Sequence, residues 1–358
     1  MLKLIDIYII KKYLGTFFLS IVLIISVSVV FDMAEKLDDF YANNAPWKAI
    51  IFDYYANFIP FFTNLFTPLF AFISVIFFTS KMAYNTEIIA MLSTGMSFKR
   101  LIFPYFFSAT LIGIMSFFLG GFVIPTSNKV RLDFEDKYIQ KFKSEMALNI
   151  QLELSPGVIA YIERYEESQN RGYHFSLEKF NGKQLASRLT SQYIIMDSLN
   201  HWHLTDYRLR EFDGMYEKMS GGERLDTVIK MNPADFFVSG KEAAQMTVTE
   251  LKQYLKRQKE RGIAGSQVFE NEYYTRFSMP FAALILTLIG VSLSSRKVRG
   301  GTGLHLGVGI GLSAIYILFA TVSSTFAVNG SLPSVVAIWL PNIVFTSIGI
   351  WLYMKAPK

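Results

Sequence analysis

YLGTFFLSIVLIISVSVVF, residues 13–31, runs nineteen residues without an Asp, Glu, Lys or Arg. A helix of about 20 apolar residues crosses the roughly 30 Å hydrocarbon core of a bilayer, so this stretch reads as a membrane span. Working outward, five further blocks have the same character: Phe58 to Ser80, Leu101 to Ile124, Phe277 to Ser295, Leu304 to Val328 and Leu332 to Met354. None carries an acidic or basic residue other than His305. Pro60 and Pro68 in the second block would break a soluble helix, but a bundle re-satisfies the freed backbone groups. The composition agrees: 51% of the 358 residues are hydrophobic and 18% charged, against about 25% charged in an average soluble domain. Lys3, Lys11 and Lys12 ahead of the first block, with Ser26-Val27-Ser28 inside it, loosely imitate a signal peptide. The apolar run is too long for a signal core and continues past that site, so a retained span is expected.

The basic residues set the orientation. The N-terminus, the loops between spans two and three and between spans four and five, and the C-terminus hold Lys3, Lys11, Lys12, Lys81, Lys99, Arg100, Arg296, Lys297, Arg299, Lys355 and Lys358. Against these eleven cations stand only Asp6 and Glu87, a balance of +9. The loop after span one has Asp32, Glu35, Asp38, Asp39 and Asp53 against Lys36 and Lys48, or −3, and Asn329-Gly330-Ser331 is uncharged. Both termini are therefore expected in the cytoplasm and the long insertion outside. That insertion, residues 126–269, holds 21 basic and 20 acidic side chains. The high pI thus comes from topology, and no nucleic-acid partner is expected. With no cysteine in the chain, neither disulfides nor thiol chemistry are available.

Within the insertion, Tyr173, Phe175 and Leu177 alternate with His174, Ser176 and Glu178, a strand pattern. Val158 to Arg164, Tyr193 to Asp197, Trp202 to Leu209 and Thr227 to Met231 are further strand candidates. Asn181-Gly182, Asp213-Gly214 and Gly221-Gly222 read as turns. Frequent short strands suggest a sandwich or jelly roll. Thr249 to Arg261 reads as a helix with Leu251, Tyr254, Leu255 and Gln258 on one face, stopped by Gly262. The expected fold is thus a membrane all-α bundle of six transmembrane helices with an inserted extracytoplasmic all-β, jellyroll-like domain. Its parts are residues 1–125 (three spans), 126–269 (the β domain with its linker helix) and 270–358 (three spans).

Catalytic patterns are scarce. His201 and His203 share one side of a strand, but no third metal ligand is evident nearby, and a surface pair is the better reading. Ser220-Gly221-Gly222-Glu223-Arg224 resembles the signature loop of ABC-type ATPases. The chain lacks the phosphate-cradling loop that motif works beside, and the segment reads as a hairpin turn. No cofactor or metal is expected. Ion-coupled transporters keep ionisable groups inside the bilayer, where each costs about 2.5–3.5 kcal/mol. Here only His305 is available, near the cytoplasmic end of its span, so energy for transport is expected from a cytoplasmic partner. Between spans two and three, Thr86 can cap a short helix through Glu87, Ile88, Ala90, Met91 and Leu92, stopped by Gly95. Such a helix either inserts into a groove on a soluble protein or is an ordinary amphipathic connector.

The segment Thr86-Glu87-Ile88-Ile89-Ala90-Met91-Leu92-Ser93-Thr94-Gly95 resembles the E-[LIV]-x-A-x-x-x-x-G coupling segment of the lipopolysaccharide-export permeases LptF and LptG. The likeness extends over the whole chain, as three spans, a β-rich insert and three spans. Leu4-Ile5-Asp6-Ile7-Tyr8-Ile9-Ile10 and Phe31-Asp32-Met33-Ala34-Glu35-Lys36-Leu37 look more like the LptG branch. Met246-Thr247-Val248-Thr249-Glu250-Leu251 through Gly262 is similar to the family's linker into span four.

The resemblance implies a non-catalytic inner-membrane permease subunit of an ABC transporter. Its partners would be an LptB-like cytoplasmic ATPase dimer, a paralogous LptF-like permease, an LptC-like periplasmic bridge protein and lipopolysaccharide. Glu87 would meet a basic group on the ATPase, with Ile88, Ala90, Met91 and Gly95 shaping the same segment. Spans one and five would be lateral gates. Gly303, Gly307 and Gly311, four residues apart, leave one face of span five flat for close helix contact, either with a partner or within the chain. Lys129, Arg131 and Lys137 beyond span three, and Lys36 beyond span one, are candidates for lipid phosphates. They are equally readable as solvated charges beside Asp133, Glu135 and Asp136. Asp32 is a departure, since a basic residue there would help to hold phosphate.

Moving an acyl chain of about a dozen carbons into water costs on the order of 10 kcal/mol, at roughly 0.8 kcal/mol per CH₂. A multi-chain lipid therefore needs an apolar route across the periplasm, and a jelly roll with an open edge could supply one. Two other classes stay open: the membrane subunit of another lipid or lipoprotein exporter, and a membrane-anchored scaffold that transports nothing.

Overall fold

The computed structural model describes residues 3–139, 146–182, 184–198, 200–214, 216–233, 236, 240–260, 267–296, 301–328 and 331–356. Lys297, Arg299, Lys358, Gly262, Asn329 and Gly330, which the sequence reading used for topology, a helix stop and a loop, lie outside them. The helical elements are α1 (Leu4–Ala42), α2 (Trp47–Tyr84), α3 (Glu87–Ser93), α4 (Phe98–Tyr138), α5 (Gly240–Gln245), α6 (Val248–Glu260), α7 (Gln267–Ser294), α8 (Gly301–Val328) and α9 (Ser334–Lys355). Among the described residues, α1, α2, α4, α7, α8 and α9 are long and apolar enough to cross a membrane. These are the six spans expected.

Neutral polar pairs pin the helices together. The hydroxyls of Tyr13 (α1) and Thr287 (α7) lie 2.7 Å apart. Thr79 of α2 donates to the Tyr105 hydroxyl of α4 at 3.2 Å. Ser116 of α4 donates to Asn64 Oδ1 of α2 at 2.6 Å. Tyr316 of α8 donates to Asn342 Oδ1 of α9 at 2.8 Å, and Asn342 Nδ2 donates to the Ser278 carbonyl of α7 at 2.9 Å. Such intramembrane hydrogen bonds contribute about 0.6 kcal/mol each on average. Apolar packing does the rest, in one core containing Tyr13, Val75, Tyr105 and Ile88 and another containing Phe72, Ile76, Leu286 and Phe345. Helices α2 and α4 each contain a π-helical turn, Ile50–Tyr55 and Leu119–Val123, and both continue with α1 beyond the apolar blocks. There Phe40, Tyr54, Tyr55, Phe58 and Phe134 form an aromatic core.

The inserted domain is all-β. Strands β1 (Met146–Ser155), β2 (Val158–Glu166), β3 (Arg171–Asn181), β4 (Gln184–Ser198), β5 (His201–Asp213) and β6 (Tyr216–Val228) form one antiparallel sheet in sequence order. Its core holds Ile162, Tyr165, Phe175, Ile194, Trp202, Leu204 and Phe236. Asn181-Gly182 and Asp213-Gly214 do turn the chain, with Gly182 and Gly214 at positive φ (65° and 59°). Gly221 and Gly222 do not. They lie inside β6, paired with Arg208 and Tyr207. A Cβ on Gly221 would sit 2.8 Å from the Tyr207 carbonyl oxygen, so the glycines serve close strand approach rather than a turn. The helix expected over Thr249 to Arg261 is present as α6 as far as Glu260, with Leu251 fully buried; Arg261 lies outside the described residues.

Chain contacts divide the molecule into a helical unit (Met1–Ile139, Ala244–Thr249 and Phe269–Lys358) and a second unit (Gln140–Ala243 and Glu250–Val268). The Trp202 ring, 1% exposed, packs against Tyr165 and Phe236. Trp202→Ala should cost the sheet about 3–5 kcal/mol. Limited proteolysis of the full chain in detergent should then cut first within residues 146–228 and leave the apolar helices intact.

Candidate functional site

The short helix α3 joins two spans at one end of the bundle. It is about two turns long, and one side is fastened down. Ile88 is fully buried in the core that contains Ile9, Tyr13, Phe98, Leu101 and Tyr105, and Met91 and Leu92 pack against the same core. The other side, with Ile89 (50% exposed), Ala90, Ser93 and Thr94, faces outward. Gly95 ends the helix as expected, at φ +86°, with its N–H on the Leu92 carbonyl at 3.1 Å. Thr86 departs from expectation. Its hydroxyl donates to the Asn85 carbonyl at 2.6 Å and makes no capping bond. The residue sits at φ +62°, ψ 9°, a conformation that costs a β-branched residue about 1–3 kcal/mol. The chain accepts this strain in the tight turn that brings α3 back under the bundle.

Glu87 begins α3, half-buried, and its Oε2 accepts a hydrogen bond from the Tyr8 hydroxyl at 3.1 Å. Two residues earlier in α1, Asp6 is 2% exposed. Arg100, in the first turn of α4, donates to both of its carboxylate oxygens, Nη1 to Oδ1 at 2.8 Å and Nη2 to Oδ2 at 2.6 Å. The Lys3 backbone N–H donates to Oδ2 at 2.7 Å, closing the start of α1. Arg100 is about a third exposed, so solvent screens part of the attraction, and the two-point geometry rather than burial gives the pair its definition. The Tyr8–Glu87 and Asp6–Arg100 contacts escaped the sequence reading, where Asp6 and Tyr8 entered within the opening motif Leu4 to Ile10 and Asp6 and Arg100 as charges in the orientation count. The available signal was that Asp6 and Glu87 are the two acids among eleven cations.

The candidate lipid-phosphate cations occupy the far ends of α1 and α4. Lys36 Nζ lies 2.9 Å from Asp32 Oδ1 and over the Tyr54 ring. Tyr54 and Tyr55 both donate to Asp32 at 3.2 Å. The Asp32 carboxylate, a departure from what the resemblance implies, is thus the centre of a hydrogen-bonded cluster. Arg131 donates to Glu135 at 2.7 Å and lies over the Phe61 ring. Lys137 lies over the Tyr138 ring, and Lys129 is exposed. His203 Nδ1 lies 3.0 Å from Asp197 Oδ2, while His201 is exposed.

Gly303, Gly307 and Gly311 have no described atom within 4 Å of where a Cβ would be, so their stripe opens away from the helices of this chain. Gly309, which the sequence reading passed over, has that intrachain role: its Cβ would meet Ile76 of α2 at 2.3 Å. In α7, a Cβ on Gly290 would meet Val75 at 2.7 Å and Phe72 at 3.1 Å. Gly290→Leu should overpack this contact, at a cost of about 1–3 kcal/mol, and lower the melting temperature of the chain in detergent. Gly307→Leu should leave that melting temperature unchanged.

The start of the linker, Ala244–Thr249, is part of the helical unit. The Arg276 guanidinium, 4% exposed, lies 3.0 Å from Glu272 and donates to the Met246 carbonyl. Val248 packs on Gly121 in the π-helical turn of α4.

The family model described as lipopolysaccharide export system permease LptF/LptG matches residues 7–355, nearly the whole chain. No curated protein matches it.

Proposed function

The chain belongs to the LptF/LptG family of lipopolysaccharide export permeases, multi-pass inner-membrane proteins that are transporter subunits rather than catalysts, and on that footing we propose how it works. Within an ABC transporter it extracts lipopolysaccharide from the periplasmic leaflet and passes it to a periplasmic bridge. A separate cytoplasmic ATPase dimer, LptB-like, supplies the energy. A paralogous permease completes the membrane half and packs on the open glycine stripe of α8. Both termini and α3 face the cytoplasm, and residues 126–269 face the periplasm. The sequence around Asp6 and Asp32 favours the LptG-like branch.

The observation that carries this reading is the two-sidedness of α3. Ile88 is rooted in the bundle while Ile89, Ala90 and Ser93 stay exposed beside the Glu87 carboxylate. An apolar, singly charged face of that size suits a groove on a soluble partner. Its rooted side suits the passage of that partner's motion to the spans.

Glu87→Lys should abolish lipopolysaccharide-stimulated ATP hydrolysis in the reconstituted complex while the chain still inserts and folds. Stimulation at the unsubstituted level would refute the coupling role. Photo-crosslinkers at Val30 and Val328 should capture lipopolysaccharide. Capture of a different lipid alone would favour another exporter of the same mechanical type. Copurification with no ATPase at all would favour a scaffold.

A further inference from the structure

The coupling reading leaves open how a displacement of α3 reaches the spans. α3 is a seven-residue helix, and Ile88 touches a core shared by several helices, so apolar contact alone does not select one of them. The polar contacts do. Glu87 at the start of α3 is bonded to Tyr8, and Arg100, five residues beyond Gly95, is bonded twice to Asp6. Segments before and after the coupling turn are thereby both held to one turn of α1, by bonds 2.6–3.1 Å long.

The helix they grip is the span whose apolar stretch is least buried within the chain. The apolar window of α1 is 11% buried, against 50% for α2, 44% for α4 and 56% for α7. At the gripped end Ile9, Tyr13 and Phe17 are buried in the helical core, whereas Leu19, Val22, Leu23 and Val27 beyond them are exposed, so a pull there is passed along a helix whose farther half meets little packing within the chain. The Asp6–Arg100 pair is bidentate, which fixes direction as well as distance. A carboxylate has about four lone-pair sites, so Glu87 can keep the Tyr8 bond while accepting a cation from a soluble partner.

We propose that Tyr8 is a positioning residue that ties span one to the coupling helix, and that Asp6 and Arg100 are positioning residues that tie the same turn of α1 to the start of α4, so that a push on Glu87 carries these two helix ends together. This lock rests on the coupling role of Glu87, and the two fail differently.

The test is the number of lipopolysaccharide molecules released per ATP hydrolysed by the full complex in proteoliposomes. Copurification of the ATPase reads assembly separately. Tyr8→Phe removes one oxygen and keeps the ring. Asp6→Arg and Arg100→Asp each break the ion pair, and Asp6→Arg with Arg100→Asp rebuilds it in reverse. Each single substitution should lower the release ratio by roughly fivefold or more, the low end of typical coupling strengths, with the ATPase still bound. The reversed pair should recover most of that loss, as a merely destabilised fold would not. If the ion-pair variants fail to assemble, Tyr8→Phe decides alone: a lowered ratio supports the lock and an unchanged one overturns it. A reversed pair that assembles but stays uncoupled also overturns it. Unchanged ratios in all of these beside an uncoupled Glu87→Lys would remove the lock and keep the coupling role. A fully coupled Glu87→Lys would remove both.

Discussion

The cost of placing charge in hydrocarbon organises this molecule. At about 2.5–3.5 kcal/mol for each ionised side chain near a helix centre, the spans carry hydroxyls and amides where a soluble core could tolerate an occasional ion pair. Tyr13 with Thr287, Ser116 with Asn64, and Tyr316 with Asn342 are the result. Each is weak, so the helices are held chiefly by shape, with Gly290 and Gly309 setting the closest approaches. Ionic contacts are displaced to the ends. Asp32 with Lys36, Arg131 with Glu135 and Arg276 with Glu272 stand at one end, and Asp6 with Arg100 at the other. A bundle pinned weakly in its middle and firmly at its ends is suited to movement driven from an end.

Much of this was legible in the sequence, and the rest was hidden for identifiable reasons. Nineteen uncharged residues announce a span because length and apolarity suffice, and all six spans follow from that rule. The same rule is silent on helices that continue past the hydrocarbon. The residues after Phe31 in α1 and after Ile124 in α4 are charged, yet they stay helical over an aromatic core that only the fold assembles. Alternation in β3 was plain because Phe175 is a core residue and His174 is not. β6 had no such pattern, since most of its residues are exposed, and Gly221-Gly222 therefore looked like a turn.

The segment around α3 shows the same division. Glu87 and Gly95 were readable, one as one of two acids among eleven cations and the other as a residue able to take φ +86°. Tyr8 was not, because its bond to Glu87 spans 79 residues. Asp6 and Arg100, 94 residues apart, were visible as charges but not as partners. Long-range pairing is what tertiary structure adds, and here it brings residues that the sequence shows as separate charges into hydrogen-bond contact. The open glycine stripe on α8 is similar. Spacing marks the flat face, while only the packed helices distinguish Gly309, turned toward α2, from Gly307, turned away.

Motive force that enters an uncharged bundle through an acidic handle requires that handle to lie on the cytoplasmic side, so the decisive measurement is where it lies. The chain has no cysteine, so a single Ser93→Cys on the exposed side of α3 gives an unambiguous label. A membrane-impermeant maleimide should modify it in inverted inner-membrane vesicles and leave it untouched in right-side-out ones, with Lys218→Cys in β6 behaving oppositely. Labelling of position 93 from the outer side of the sealed membrane would contradict the account at its root.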